Sequence, residues 1–448
     1  MKHWRTMQAL RLRLLAAFAG ACLLHALPAA AAPVMDRAAI DVRGWAAETK
    51  GGAGGAIVRV TNLNASGEGS LAAALATDGA RIVVFEVGGV IDLQGASLRI
   101  SKPFVTVAGQ TAPHPGITLI RGGLSVSTND VVVQHIAVRP GENGKPKKSG
   151  WEADGLSSSG ASNLIVDHCS FSWATDENLS ASGARFNGKT PDDWPNGTSR
   201  RITYSHNIIA EGLRDSTHGK GEHSKGTLIH DNAEQILLYG NLYSSNVERN
   251  PLVKGGAKVA VINNLIHNPG KRAVHYNLIA HEWGERAPRT GAVTVIGNVL
   301  RGGPDTRRNT PLFSLGGSGD VSLYMQDNIA IDANGEALPM TGRYTADTAR
   351  MLKAEQPYLP AGLSPLPAEG LESAIYASAG MRPWQRDAVD FKILSDVAEG
   401  RGHIVDSEAQ SSGYPAYAPT RKPFVAADWN LADMSPKAGW QSLAAKRP

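Results

Sequence analysis

Two aspartates in the middle of this 448-residue chain, Asp154 and Asp176, stand 22 residues apart. Carboxylates that are held close together repel each other, and a cation between them removes that repulsion. Ligation by oxygen atoms alone favours calcium over zinc. Glu177 and Asn178, which follow directly, are further candidate oxygen donors. The spacing alone leaves a second interpretation open, in which both aspartates are solvated loop residues.

A second group of residues is cationic. Lys225 and Arg249 are 24 residues apart, and Lys254 follows Arg249 by five. Cations stacked beside a metal site would form an anion-binding surface, although ordinary surface charge is the alternative interpretation. His218 and His223 bracket a glycine-containing loop, and this spacing is weak evidence for zinc. A loop of polar contacts explains the two histidines more simply.

The spacings of 22 to 24 residues agree with the shortest step of a weak internal repeat. A polar residue followed by an apolar one recurs with steps of 33, 39, 34, 23, 34 and 30 residues, at His135, His168, Asn207, Asn241, Asn264, Asn298 and Asn328. A minimum near 23 with variable additions predicts a solenoid whose insertions form loops. Asparagine at one corner of each coil tolerates left-handed backbone and can hydrogen-bond to the next coil.

Short β-branched runs separated by Gly, Asn, Ser and Asp fill residues 55–330. The longest helical pattern among them is a short one near residues 70–76. We therefore predict an all-β fold, a parallel β-helix over residues 33–335, with a β-sandwich or propeller as the alternative. Equivalent residues on neighbouring coils of such a fold lie about 4.8 Å apart. Residues 336–448, where the repeat fades, are predicted to be an irregular C-terminal extension packed on the solenoid.

Residues 1–32 have a basic start, an apolar stretch and a small-residue end, which is typical of a secretory signal peptide. We expect an exported protein, secreted or periplasmic, with no membrane span. Cys169 is then the one cysteine of the mature chain, most simply a small buried side chain. The signal carries four basic residues and no acid, so the remaining 41 basic residues balance 41 acidic ones. Such a balance, with 6% aromatic residues, gives no support for a nucleic-acid partner.

Several motifs together resemble the family 1 pectate lyases. They are residues 166–173 followed by 176–178, residues 51–55 leading to 60–63, residues 67–71, residues 109–111 and the segment Arg249-x-Pro251-x-x-Lys254. Each motif is weak alone, but their common order across roughly residues 50–330 is a strong signal. The resemblance implies a right-handed parallel β-helix that cleaves polygalacturonate (pectate) by β-elimination, with calcium bridging enzyme and substrate. We expect a monomer that binds this acidic polysaccharide.

The resemblance assigns the two aspartates to the metal. Asp154 and Asp176 are similar to the calcium-binding acids of the family. The family usually has a further acid four residues after the second one, and Ser180 stands there in this chain. The resemblance therefore implies a calcium site with one carboxylate fewer than usual.

The resemblance also assigns the cations. Lys225 resembles the lysine that binds a substrate carboxylate, and Arg249 resembles the arginine proposed as the base. Lys254 stands where the family commonly has arginine, so a two-point grip on a carboxylate becomes a point charge. We predict Arg249, Lys225 and Lys254 as catalytic residues. Lys225, Lys254 and His223 are the predicted substrate-binding residues.

Three other functions stay open from the sequence. A lyase for another polyuronate would use the same residues. A non-catalytic solenoid that binds acidic polysaccharide would use the same charges. A glycoside hydrolase on this fold would use Asp154 and Asp176 as acid and base, but the cations would then have no role.

Overall fold

The computed structural model describes residues 38–444, and the predicted signal peptide lies outside this range. Between residues 56 and 353 the chain winds into coils, and most coils contribute one strand to each of three long sheets. Along the chain, a coil passes through sheet 1, then sheet 2, then sheet 3. Nearly all the strand pairs are parallel, because each strand is followed one coil later by its neighbour. The predicted parallel β-helix is confirmed.

The strands of sheet 1 are Ala56–Val60, Arg81–Phe85, Val105–Ala108, Asn129–Gln134, Ser162–Asp167, Arg200–Ser205, Glu234–Tyr239, Lys258–Ile262, Gly291–Ile296, Val321–Gln326 and Met351–Lys353. The strands of sheet 2 are Val87–Asp92, Ile117–Ile120, Ile136–Arg139, Ser170–Ser172, Ile208–Ala210, Leu242–Ser244, Leu265–His267, Val299–Arg301, Ile329–Ile331 and the antiparallel Thr420–Arg421. The strands of sheet 3 are Leu98–Ile100, Leu124–Val126, Leu156–Ser159, Glu177–Ser182, Lys225–Ile229, Leu252–Lys254, Val274–Leu278, Phe313–Gly317 and Thr341–Arg343. Trp429–Asn430 and Ser435–Pro436 form a separate antiparallel pair.

The core runs along the inside of the solenoid as columns of stacked aliphatic side chains. One column on sheet 1 joins register partners from coil to coil, namely Val105, Val131, Leu164, Ile202, Ile236, Val259, Val293 and Leu323. Full burial of one such side chain contributes about 1.5–3 kcal/mol. In the β-branched runs, alternate residues such as Val131 and Val133 therefore face this core, and Val132 between them packs on the other face of the sheet.

The predicted asparagine ladder is present at the turn between sheets 1 and 2. The backbone N–H of Asn207 donates to Oδ1 of Asn241 over 2.9 Å, and Asn241 donates likewise to Asn264 over 3.0 Å. Asn264 continues to Asn298, and Asn298 to Asn328, each over 2.9 Å. The side-chain amides donate along the same line. Each coil is thus tied to the next one by its buried amides.

The first two positions of the predicted repeat, His135 and His168, lie one residue before the ladder. Cys169, which is buried and free, occupies the ladder position, because its N–H donates to Oδ1 of Asn207 over 2.9 Å. His168 aligns instead with His206, and their rings stack with centroids 4.6 Å apart. His135 stacks on His168 at 5.0 Å. Two polar columns run side by side at this turn, and the sequence pattern merged them.

The sheets continue beyond residue 335. Thr341–Arg343 pairs with sheet 3 and Met351–Lys353 pairs with sheet 1. Four α-helices occur within residues 38–444: Leu71–Ala76, Ala280–Trp283, Leu371–Ser378 and Ala388–Ala398. The first is the short helix expected near residues 70–76. No helix in this range is long and apolar enough to cross a membrane.

The last two helices lie in the segment that the sequence analysis predicted to be irregular. Val389, Ile393 and Val397 of helix Ala388–Ala398 recur every four residues and pack on the outer face of sheet 2. Asp387 caps this helix by accepting a hydrogen bond from the N–H of Asp390. Both carboxylates pair with the fully buried Arg139 of sheet 2, at 2.6 Å and 3.0 Å. The segment is therefore tied to the solenoid by apolar contacts and by a buried ionic cluster.

Candidate active site

Sheet 3 brings most of the predicted site residues to one groove. Asp176, His223, Arg249 and Lys254 line a groove of about 320 Å³. They come from three successive coils, because strands Glu177–Ser182, Lys225–Ile229 and Leu252–Lys254 are neighbours in the sheet. The predicted coil spacing therefore correctly placed these side chains close together.

Lys225 lies on the same sheet, one coil after Glu177 along the chain. The two residues are direct register partners, and Lys225 also bridges to Glu248 on the next coil. Arg249, which follows Glu248, has a positive φ of 63° and is therefore turned relative to the regular strand. As a result Lys225 faces Glu248 and not Arg249 across the sheet.

Three carboxylates meet at the end of the groove nearest the N-terminal coils, which we call the upper end. One oxygen atom from each of Asp154, Asp176 and Glu177 lies within 4.8 Å of the other two. Oδ2 of Asp154 accepts a hydrogen bond from the hydroxyl of Ser180 over 2.9 Å, and Oδ1 accepts from the N–H of Glu177 over 3.1 Å. Ser180, which replaces the family's usual acid, thus donates to Asp154 and adds no charge.

The two aspartates have opposite pKa shifts. Burial and the neighbouring Asp176 charge raise the pKa of Asp154 to about 7. Burial also raises the pKa of Asp176, but the hydrogen bond and charge of His223 outweigh it and leave that pKa below its usual value. This is the behaviour of two acids that share one site, in which the second negative charge costs free energy until a cation arrives.

Two stacked histidines position Asp176. The rings of His218 and His223 lie 3.5 Å apart, and Nε2 of His223 is 2.8 Å from Oδ1 of Asp176. Nδ1 of His218 accepts a hydrogen bond from the N–H of Lys220, so its Nε2 carries the proton in the neutral ring. That Nε2 points towards Glu152 at 3.4 Å and Asp176 at 3.7 Å. The pair therefore donates to carboxylates, as a loop of polar contacts would.

The candidate oxygen donor Asn178 is not part of this cluster. Its side-chain amide donates to the carbonyl of Ala210 and to Oδ1 of Asn246, each over 3.2 Å. Its own Oδ1 accepts from the N–H of Ala174. Asn178 is fully buried, and its amide forms hydrogen bonds within the solenoid. The expectation that it is a metal-facing oxygen donor is therefore wrong.

The upper cations are each held by a carboxylate of the protein. Arg249 forms an ion pair with Glu177, and Lys225 forms one with Glu248. Burial lowers the pKa of Arg249 below its ordinary value. Burial, with the charges of Arg272 and Lys271, lowers the pKa of Lys225 to about 8.

The lower cation, Lys254, is held from two sides. Its ammonium pairs with Glu282 of the short helix Ala280–Trp283 and lies 3.3 Å from the fully buried Asp231. Arg185 bridges the same two carboxylates, at 2.9 Å from Glu282 and 3.1 Å from Asp231. Lys254 therefore has a fixed position even though it lacks the fork of an arginine.

The sequence analysis missed Arg272, which also lines the groove. It pairs with Glu248, and its guanidinium lies 4.4 Å from the ring centre of Tyr344. Arg272 follows Arg249 by 23 residues, which is the shortest step of the repeat. The same spacing rule could have found it. Its partner Glu248 follows Lys225 by the same step, whereas Tyr344 carried no comparable signal.

The donor set of the upper cluster fits a hard cation such as calcium. It consists of three carboxylates, of which Glu177 also forms an ion pair with Arg249. Calcium prefers carboxylate oxygens, whereas zinc sites are usually rich in histidine nitrogen or cysteine sulfur. Asp154, Asp176 and Glu177 are therefore the residues that would hold the ion.

The comparisons with known proteins agree on one family. No protein-family model matches the chain. The chain is 33% identical over 377 residues to the probable pectate lyase C of Aspergillus flavus, which covers 83% of this chain and 80% of that protein. It is 33% identical over 380 residues to the probable pectate lyase C of Aspergillus terreus, with the same coverage. The probable pectate lyase C of Emericella nidulans is 42% identical over 229 residues, 51% of this chain and 47% of that protein.

Solved structures show the same fold at much lower sequence identity. Jun a 1, the major allergen from cedar pollen, aligns with a TM-score of 0.55 at 14% identity, over 76% of this chain and 92% of that one. The thermostable pectate lyase PL 47 aligns with a TM-score of 0.51 at 16% identity, over 75% and 96%. By its fold and its relatives, the chain belongs to the pectate lyase family of polysaccharide lyases.

Proposed function

We propose that this protein is an exported, calcium-dependent lyase that cleaves polygalacturonate by β-elimination. The observation that carries the proposal is the juxtaposition of a three-carboxylate cluster with Arg249 and Lys254, which line one groove, and with Lys225, the register partner of Glu177 on the same sheet. Membership of the pectate lyase family gives that juxtaposition its substrate class. The predicted signal at residues 1–32 supports export.

The chemistry of a uronate explains why the groove needs so many cations. The proton at C5 is acidic only if the negative charge that develops on the adjacent carboxylate is stabilised. Calcium held by Asp154, Asp176 and Glu177 would supply positive charge at that carboxylate. Lys225 and Lys254 are proposed to hold substrate carboxylates and to share in this stabilisation. Fixed charges in a groove shielded from water act more strongly than the same charges in bulk water.

Arg249 is the proposed base. It would accept the C5 proton while the bond from C4 to the glycosidic oxygen breaks and that oxygen takes a proton from water, which leaves a C4–C5 double bond. A free guanidinium has a pKa above about 12 and is a poor base. Burial lowers the pKa of Arg249, which favours the neutral form that the reaction requires.

His223 supports the site indirectly. Its Nε2 lies 2.8 Å from Asp176, so it orients a proposed calcium ligand and also lines the groove. Because His223 lines the groove, we retain it among the proposed substrate-binding residues. Arg272 joins them, because it is the next cation along the same face.

The geometry disfavours a hydrolase. A hydrolase would use Asp154 and Asp176 as acid and base, and the cations Arg249, Lys225 and Lys254 beside them would then have no role. Both oxygens of Asp154 also accept hydrogen bonds from the protein.

A second candidate is a lyase for another polyuronate, and Lys254 is the observation that favours it. A point charge pinned by Glu282 and Asp231 recognises a carboxylate with less geometric selectivity than an arginine fork. A panel of polygalacturonate, methylated pectin, alginate and glucuronan separates the candidates. Ultraviolet absorbance reports the unsaturated product, and mass spectrometry shows whether water was added. We expect unsaturated oligogalacturonates, whereas saturated products or binding without products would refute the proposal.

A further inference from the structure

Glu177 lies between the two halves of the site. Its carboxylate belongs to the cluster with Asp154 and Asp176, and it is also the ion-pair partner of Arg249. Its backbone N–H donates to Asp154 over 3.1 Å, and its register partner is Lys225. No other residue described by the structure touches both the proposed metal ligands and the proposed base in this way.

The described partner of the Glu177 carboxylate is Arg249. The residue is only 5% exposed, and its Oε1 forms the ion pair with the Arg249 guanidinium. Nε of Arg249 is buried without a hydrogen-bond partner among the described residues. A buried carboxylate needs a cation beside it, and Arg249 is that cation when the site holds no metal.

The substitution at position 180 gives Glu177 a role. With Ser180 in place of an acid, Asp154 and Asp176 provide only two carboxylates, and Ser180 already donates its hydroxyl hydrogen to Asp154. Calcium affinity depends on the number of charged ligands. Glu177 is the one further carboxylate within reach of both aspartates among the described residues. One carboxylate cannot fully serve the metal and Arg249 together.

We propose that Glu177 alternates between two partners: it is the counter-ion of Arg249 when the site holds no cation, and the third carboxylate of the calcium site when it does. Calcium binding thereby frees Arg249 for its role as the base. The inference rests on the proposed function and deepens it, because it couples occupancy of the metal site to the state of the base.

Coupling of this kind is reciprocal. If calcium weakens the contact between Glu177 and Arg249, then loss of Arg249 must strengthen calcium binding by the same free energy. Arg249 also repels calcium directly through its charge, and this repulsion does not need Glu177. A double-mutant cycle separates the two effects.

The first test measures calcium affinity by isothermal titration calorimetry without substrate. Glu177→Gln should weaken binding about tenfold or more. The matched control is Glu222→Gln, which removes an acid paired with Lys271 outside the cluster and should change affinity less than about twofold. Equal affinity of the Glu177→Gln variant and the unmodified protein would overturn the proposal.

The second test repeats the titration with Arg249→Ala in both backgrounds. We expect a gain in calcium affinity when Glu177 is present and a much smaller gain when it is glutamine. Lys254→Ala is the control for loss of a nearby positive charge, and its effect should be the same in both backgrounds. An equal gain from Arg249→Ala in both backgrounds would show simple repulsion and would refute the alternation.

A third measurement uses the unmodified protein, so it does not depend on how a variant folds. Crystal structures with and without calcium should show the Glu177 carboxylate on the ion and on Arg249, respectively. A calcium-bound structure that keeps the pair with Arg249 would contradict the inference. These results are independent of catalysis: a protein that binds calcium through the aspartates alone and still cleaves pectate disproves only the role of Glu177. Absence of cleavage would disprove the proposed function itself.

Discussion

At the scale of residues, the cations of the groove are held in advance by the protein's own glutamates. Glu177 pairs with Arg249, Glu248 with Lys225 and Glu282 with Lys254. In the proposed function, a substrate carboxylate would therefore exchange places with a protein carboxylate. Such pairing keeps buried cations compatible with a stable fold, because an unpaired buried charge is strongly destabilising.

Removal of the proposed base should abolish turnover and leave the site otherwise intact. Arg249→Ala should lower kcat by about 10²–10⁴-fold, the range for loss of a general base, with a much smaller change in KM. Arg249→Lys should also be impaired, because an ammonium does not reproduce the guanidinium geometry. Initial rates followed by product absorbance provide the measurement. Near-normal turnover of Arg249→Ala would remove the base assignment.

Calcium binding should weaken as the pH falls below about 7. Burial and Asp176 raise the pKa of Asp154 to about 7, so a proton occupies this carboxyl in more acidic solution. Calcium needs the carboxylate and must displace that proton, which costs up to about tenfold in affinity per pH unit below the pKa. Calorimetric titrations at pH 6 and pH 8, in buffers of different ionisation enthalpy, measure affinity and proton release. Equal affinity without proton release would contradict the assignment.

The sequence predicted the acids and cations of the site but not their pairing. Coil-length spacing placed Lys225 and Arg249 on neighbouring coils, and a parallel β-helix turns such spacing into proximity. Glu248 follows Lys225 by the same 23-residue step, so spacing could have found it, whereas the partner Glu282 lies on a short helix in a loop. Insertion loops have no fixed register, so spacing arguments do not reach them.

At the scale of elements, the asparagine ladder joins one coil to the next. Nδ2 of Asn264 donates to Leu238, Ile262 and Asn298, and its Oδ1 accepts from the backbone and side chain of Asn241. Asn264→Ala leaves several buried polar groups unpaired and should cost about 2 kcal/mol or more. Urea denaturation followed by circular dichroism measures this cost.

The matched control for the ladder is Asn328→Ala. Asn328 is half-buried at the C-terminal end of the described ladder, where water can replace its lost hydrogen bonds. We expect a loss well below that of Asn264→Ala. Equal losses at both positions would mean that the ladder does not stabilise the coils through buried hydrogen bonds.

The repeat also shows how a prediction of register can be wrong by one residue. A polar residue before an apolar one marks the asparagine positions correctly from Asn207 onward. At His135 and His168 the same pattern belongs to the neighbouring histidine column. Composition does not distinguish two adjacent polar columns, and only strand register does.

At the scale of the whole molecule, the C-terminal segment is fastened to the solenoid through Arg139. This side chain is fully buried between Asp387 and Asp390. Arg139→Ala would leave two buried carboxylates without a cation and should cost about 3–5 kcal/mol. Unfolding curves and limited proteolysis measure the loss and show whether the segment detaches first.

The control for this fastening is Arg121→Ala, which breaks the half-exposed pair with Asp92. Exposed ion pairs contribute about 0–1 kcal/mol to stability, so the midpoint of the unfolding curve should hardly change. Similar shifts in both variants would contradict a special role for Arg139.

The helices that Arg139 fastens were missed in the sequence, although Val389, Ile393 and Val397 recur every four residues. Their apolar face packs against sheet 2, and without that partner the short helical pattern was indistinguishable from an irregular tail.

The central claim is calcium-dependent elimination on polygalacturonate, and one measurement addresses it directly. Ultraviolet absorbance is recorded while the mature protein, freed of metal by a chelator, is mixed with polygalacturonate before and after calcium is added. We predict a flat trace that rises when calcium arrives and that rises at least about 100-fold more slowly for Arg249→Ala. New reducing ends without a rise in absorbance would identify hydrolysis. A rise that is as fast in chelator as in calcium would contradict the role given to Asp154, Asp176 and Glu177.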